Sequence, residues 1–292
     1  MHGRPPTNDL ALLATGVLCA SASPPLIAAT AAPALAIAFW RTGAAALLLL
    51  PAVVLRRERF ERRAVWLALL AGAALAAHFG TFIPSLSYTS VASSAALVCS
   101  QAVWAGLLGH VLGERMPRRA WLGTAVCFAG VLLVTGVDVS LSARALGGDV
   151  LALLGGLFGG VYIVTGGFVR RELSTLAYAV ICYGVCGVLM AIVCVIGGQP
   201  LAGYAADDWL RIATLTLTGQ LLGHSLFNLV LRSISPTIVS LSTLFTVPLA
   251  ALIAAFALDQ TPPVQAVPAL ALLLAGTALV ISARERAPAE LP

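Results

Sequence analysis

The stretch SVASSAALVCSQAVWAGLLGHVLGERMP, Ser90 to Pro117, returns 145 residues later as SPTIVSLSTLFTVPLAALIAAFALDQTP, Ser235 to Pro262. Each is a long apolar run closed by an acid and then a proline: Glu114 with Pro117, and Asp259 with Pro262. The offset is about half of the 292 residues, so the chain reads as two copies of one unit. Each copy holds five apolar spans, and five is odd. The second copy then enters a membrane from the opposite face, and inverted repeats of this kind build many secondary transporters.

Composition points the same way. The chain is 60% hydrophobic and 10% charged, with a mean hydropathy of +0.97. A soluble domain carries roughly 25% charged residues. This chain has too little polar surface to face water, so it belongs in a bilayer as a polytopic protein. A crossing needs about 20 mainly apolar residues to cover a core about 30 Å thick. Ten such spans are expected, at roughly 10–30, 33–55, 64–86, 90–112, 119–137, 149–169, 174–196, 208–231, 236–257 and 264–283. No stretch alternates in polarity as barrel strands do, so the expected fold is all-α, since only helices or closed barrels satisfy their backbone in lipid.

The arginines set the orientation. All 17 basic residues are Arg. In the ten-span arrangement Arg4, Arg56, Arg57, Arg59, Arg62, Arg63, Arg115, Arg118, Arg119, Arg170, Arg171, Arg232, Arg284 and Arg286 share one side. Arg144 and Arg211 lie on the other, and Arg41 lies inside a span. By the positive-inside rule both termini are expected in the cytoplasm. The net charge of +5 then reflects topology, and no nucleic-acid partner is expected. Residues 10–20 resemble the core of a signal peptide, but the nine before them carry one Arg and an acid, so an uncleaved first helix is expected.

The six cysteines all fall within spans, and Cys182 with Cys186 shares a helix face without a His or acid at ligand spacing. They read as small packing residues, and neither metal nor cofactor is expected.

Ten spans, cytoplasmic termini and two inverted five-helix repeats resemble the drug/metabolite transporter superfamily, specifically its EamA-domain exporters. The resemblance is carried by SLSYTSVASSAALVCSQAVWAGLLGHVLGERMPRRAWLGTAVCFAGVLLV, which is similar to that family's end-of-repeat signature. Phe39, Trp40 and Arg41 resemble its second-helix aromatic–Arg element, and DVLALLGGLFGGVYIVTGGFVRR resembles the first helix of its second repeat. Asp259-Gln260-Thr261 stands where Gly-Glu-Arg is usual in that family. The resemblance implies a first repeat over 1–137, a second over 149–284 and a short cytoplasmic tail at 285–292. It implies an inner-membrane exporter of amino acids, drugs, nucleotides or other metabolites, acting as a monomer or weak homodimer among membrane lipids.

Gly155, Gly156, Gly159 and Gly160, and Gly219 with Gly223, form small-xxx-small pairs, which let helices approach closely in lipid. Pro24-Pro25, Pro84 and Pro248 remove helical hydrogen bonds, so breaks are expected there.

Polar groups within spans are costly unless paired or wet, and so mark where a substrate sits. No Asp or Glu lies at mid-membrane depth. Gln101 lies roughly 16 Å into span four and Thr246 roughly 15 Å into span nine, from opposite faces, and the repeat offset maps one onto the other. His78, Trp104, Tyr162, His224 and Asn228 lie within a turn or two of that depth. Together they are candidate substrate-binding residues for an amphipathic solute of amino-acid size. Each alone is also an ordinary packing or hydrogen-bonding group. Arg41 is either a carboxylate anchor or a brace whose long side chain snorkels or holds neighbouring carbonyls.

An intramembrane enzyme needs paired acids, a nucleophile with its base, or a metal cluster, and the spans carry no such pattern. A lipid or lipid-linked flippase or scaffold is the alternative membrane role. For coupling, the titratable mid-depth groups are His78 and His224, whose unperturbed pKa near 6.5 favours facilitated diffusion or a His-linked proton effect over sodium symport.

Overall fold

The computed structural model describes residues 6–56, 61–89, 94, 97–113, 117–135, 142–257 and 266–285. Glu114, Asp259, Gln260, Thr261 and Pro262, the start of the fourth span, and Arg4, Arg57, Arg59, Arg115 and Arg286 lie outside the described residues.

Every regular element among the described residues is helical. In chain order these are α1 (Thr7–Ser21), α2 (Ser23–Ala28), α3 (Ala34–Arg56), α4 (Arg62–Ser85), α5 (Gln101–Val111), α6 (Arg118–Thr135), α7 (Ala143–Val169) and α8 (Thr175–Ile196). Then come α9 (Ala206–Leu215), a π-helical segment (Thr216–His224), α10 (Ser225–Val230), α11 (Pro236–Ser242), a 3₁₀ turn (Thr243–Phe245), α12 (Thr246–Ala257) and α13 (Ala266–Glu285). Five helical stretches are long and apolar enough to cross a bilayer: Thr7–Ala28, Ala34–Arg56, Arg62–Ser85, Ala143–Val169 and Thr175–Ile196. Their outward faces are apolar, with Leu55 82% and Ile196 81% exposed, as suits side chains that meet acyl chains.

The breaks have local causes. Pro24 and Pro25 lack the N–H groups that would bond back into α1, and the helix stops at a turn on Ala22 before restarting as α2. Pro84 sits in the last turn of α4. Pro248 cannot donate to the Leu244 carbonyl, and the chain tightens into the 3₁₀ turn at Thr243–Phe245 just upstream. The α7 helix begins at Ala143, six residues before the span start at 149 read from hydropathy. The Ser142 hydroxyl accepts from the Ala145 N–H at 3.1 Å and caps the early start.

The helix pairings come in matched sets. α4 packs along α7, and the π segment with α10 packs along α1. α5 lies on α7, and α11 and α12 lie on α1. α4 touches α8, and α9 with the π segment touches α3. The two remaining large contacts, α3 with α8 and α6 with α13, are each their own counterpart.

Both of these self-matched crossings close through glycine. A Cβ placed on Gly187 of α8 would lie 3.0 Å from the Gly43 Cα of α3. Between α6 and α13, a Cβ on Gly123 would lie 2.5 Å from the Gly276 carbonyl oxygen, and one on Gly276 would lie 2.5 Å from that of Gly123. Nothing drives apolar helices together in lipid beyond packing itself, so such backbone approach carries the association. Gly276→Val is therefore expected to lower the melting temperature in detergent by several degrees, through an overpacking loss of about 1–3 kcal/mol. Gly43→Ala, whose new methyl meets only the Phe39 ring at 3.7 Å, should leave it nearly unchanged. Equal losses in the two variants would contradict the close-approach account.

Candidate functional site

The deepest charge in the bundle is Arg41, two turns into α3 and 2% exposed. Its Nε donates to Gln220 Oε1 at 3.0 Å, and its guanidinium lies over the Phe79 ring, 4.4 Å from the centroid. The stack on Phe79 supplies cation–π attraction in a desolvated setting. Gln220, fully buried, comes from the π segment, whose wider turns suit functional positions in helices. Gly219, its neighbour, makes room: a Cβ there would lie 3.1 Å from Arg41 Nη2.

Phe79 joins this group to the histidines. His224 closes the π segment and meets the edge of Phe79 at 5.4 Å, Tyr162 at 5.8 Å and Phe227 at 6.0 Å between centroids. His78 adjoins Phe79 in α4, with Nδ1 2.8 Å from the Gly155 carbonyl oxygen. A carbonyl only accepts, so that contact places the proton on Nδ1 and leaves Nε2 as the free lone pair.

A second group lies one to two turns along. Tyr162 OH donates to Asn228 Oδ1 at 2.8 Å, Asn228 Nδ2 donates to Tyr183 OH at 3.2 Å, and Tyr183 OH meets Ser225 Oγ at 3.1 Å. The Asn228 carbonyl in turn accepts from Arg170 Nε at 2.9 Å. Arg170, Arg171, Arg56 and Arg232 line an open cleft of about 650 Å³ at this end of the bundle. A smaller cavity of about 90 Å³ beside it is bounded by Ala105, Val164, Phe168, Arg171, Arg232 and Thr237.

Gln101, at the start of α5, hydrogen-bonds Thr243 Oγ1, and Thr243 passes the bond on to the Ser240 carbonyl at 2.7 Å. Thr246, the residue to which the repeat offset carries Gln101, turns its hydroxyl back to the Thr243 carbonyl at 2.6 Å. The partner of Gln101 lies in the 3₁₀ turn, one helical turn before its repeat counterpart Thr246. Gln101 reaches the histidine group across a glycine, since a Cβ on Gly159 would meet Gln101 Oε1 at 2.5 Å and His78 Nδ1 at 3.0 Å. Trp104 packs on the next glycine, its Cβ 2.8 Å from a Cβ built on Gly160.

The eight candidates read from sequence thus fall into a chain of neighbours running from Arg41 to Gln101, with Thr246 at its far end. Sequence reasoning passed over Gln220, Tyr183, Ser225, Thr243 and Phe79. Gln220 carried the same signal as the others, an amide inside an apolar span. Phe79 carried none, because an aromatic there looks like filling until Arg41 is seen on its face.

Two stretches of the chain, residues 9–136 and 146–282, match the EamA-like transporter family. An 84-residue part of the chain is 36% identical to an uncharacterized transporter of Archaeoglobus fulgidus, covering 28% of this chain and 29% of that protein. The chain thus aligns with less than a third of that relative's length. A solved structure, described only as the crystal structure of a protein, superposes with a TM-score of 0.79 over 95% of this chain and 98% of its own, at 17% identity. That last likeness concerns the fold alone.

The Asn228 cluster makes a graded prediction. Asn228→Ala strands the Tyr162 hydroxyl in a buried site, at about 1–3 kcal/mol, and leaves Tyr183 only its Ser225 partner. Tyr162→Phe deletes one donor and leaves an amide oxygen unpaired, so its cost is the smaller. Thermal unfolding in detergent should rank the variants in that order, and the reverse order would show that Asn228 is not the hub.

Proposed function

Because this chain belongs to the EamA-like transporter family, we propose that it is a secondary transporter that exports small metabolites across the inner membrane. It works by alternating access of two inverted five-helix repeats, 1–137 and 149–284, with ten spans and both termini in the cytoplasm. The observation that carries the reading is the row of partly satisfied polar groups, Arg41 to Gln101, inside an apolar bundle. In lipid such groups are retained where a solute or water replaces the missing partners.

Several features support the arrangement. The family match falls in two parts of similar length. The helix pairings come in sets related by exchange of the halves, as two repeats about a pseudo-two-fold axis require. Arginines Arg56, Arg170, Arg171 and Arg232 crowd one end, the end assigned to the cytoplasm by the positive-inside rule. The cavity beside them reaches between α5, α7 and α11, which makes it the natural cytoplasmic mouth.

Proteoliposomes loaded with labelled amino acids and related metabolites test the activity directly. Sodium-independent counterflow of at least one solute is expected. A strict sodium requirement, or silence across the panel, would overturn the reading. Orientation is tested by single cysteines in a cysteine-free background. A membrane-impermeant maleimide added to intact cells should label Ala202→Cys and spare Glu172→Cys, and the opposite pattern would invert the topology.

A further inference from the structure

Arg41 is a buried cation whose counter-charge is missing. None of the twelve acids lies at mid-span: Asp9, Glu58, Glu61, Glu114, Asp138, Asp149, Glu172, Asp207, Asp208, Asp259, Glu285 and Glu290 all fall near span ends or in connections. Among the described residues the one ion pair is Arg211 with Asp208, at 3.0 Å. Of the five N–H groups of Arg41, Nε is taken by Gln220, and no described residue accepts from Nη1 or Nη2. An unpaired ion in such a place is strongly disfavoured even after relaxation.

Two further polar groups lie around it. Gln220 uses Oε1 on Arg41, and its buried Nε2 lies toward the Tyr183 hydroxyl. His224 Nδ1 is buried and has no partner among the described residues. Gln220 and His224 are four residues apart on the π segment, so they present along one face, and Phe79 meets both His224 and Arg41. Phe79, Tyr162 and Phe227 pack their rings around His224.

We infer that Arg41, Gln220 and His224 form an occluded seat for the carboxylate of the transported solute, with Phe79, Tyr162 and Phe227 receiving its apolar body. The inference rests on the transporter reading and names its substrate class. The free Nη1–Nη2 edge of the guanidinium is a planar fork that matches a carboxylate with two parallel N–H···O bonds. Gln220 holds the guanidinium in place through Nε, and His224 adds a third donor in its Nδ1–H tautomer. Charge decides between anions. One guanidinium and one carboxylate sum to zero, so the loaded centre is neutral while it is closed to both sides. A dianionic phosphate ester leaves an unpaired negative charge in a low-dielectric interior and is excluded.

The test reads binding, not transport, so its failure is distinct from failure of the transporter reading. Melting temperature of the purified full-length protein is followed with benzoate, benzamide and phenyl phosphate, and with L-phenylalanine against L-phenylalaninamide. Carboxylates should raise it by a few degrees at saturation, and the amides and the phosphate ester should not. Arg41→Gln should abolish the shift. Gln220→Glu guards against loss of folding in that variant, because it delivers an internal carboxylate to Arg41. It should melt higher than the wild type without ligand and lose its response to benzoate. Equal stabilisation by acid and amide, no stabilisation by either, or a benzoate response surviving in Gln220→Glu would each overturn the inference. If the carboxylates bind as expected and counterflow is nonetheless absent, the seat stands and the transport reading falls.

Discussion

The fold depends on how closely two backbones approach where no side chain intervenes. Lipid offers no hydrophobic drive between apolar helices, so packing and hydrogen bonds hold the bundle together. Gly43 with Gly187 and Gly123 with Gly276 supply the closest approaches at the two crossings that pair like with like. The run Gly155 to Gly160 on α7 serves α4 and α5 in the same way, receiving Phe82, Ser100, Gln101 and Trp104. Gly219 and Gly223 on the π segment receive Ser23, Arg41 and Ala20. Glycine therefore does two things here. It seals the bundle, and it leaves lateral room that the polar side chains occupy.

What those side chains form is a graded set. Asn228 has bonds from Tyr162, to Tyr183 and from Arg170 to its carbonyl, so it is a structural hub. Gln101 is engaged by Thr243. At the opposite extreme, His224 Nδ1 has no partner among the described residues. Fully bonded polar clusters rigidify a core, and half-bonded ones persist where another group completes them. The gradient runs from scaffold at Asn228 to vacancy of bonding around Arg41, over a few helical turns.

Much of this was legible in the chain, and the exceptions are physical. Long apolar stretches foretold helices because the bilayer leaves a backbone little else to do. Pro24-Pro25 and Pro248 foretold interruptions, since a missing N–H is a local fact. The start of α7 was not legible from hydropathy, because Ser142 caps a helix that begins before its apolar stretch. The bond from Gln101 to Thr243 was not legible, because the repeat offset relates Gln101 to Thr246 as equivalent positions and does not say which side chains meet. The π segment had no signature beyond two glycines. It decides where Gln220 points, and Gln220 was the residue that reading by polarity passed over.

That π segment has a consequence for motion. A π turn takes up more residues than an α turn over the same axial course. Rewinding Thr216–His224 into α-helix would screw everything after it by about 100° per residue absorbed. Asn228 lies four residues beyond and would swing off both tyrosines, taking with it the carbonyl that Arg170 holds. Winding and hydrogen bonding are thus geared together. The three bonds at Asn228 act as a pawl on a helical screw, and any solute that changes the pitch at Gln220 must lift that pawl at the far end.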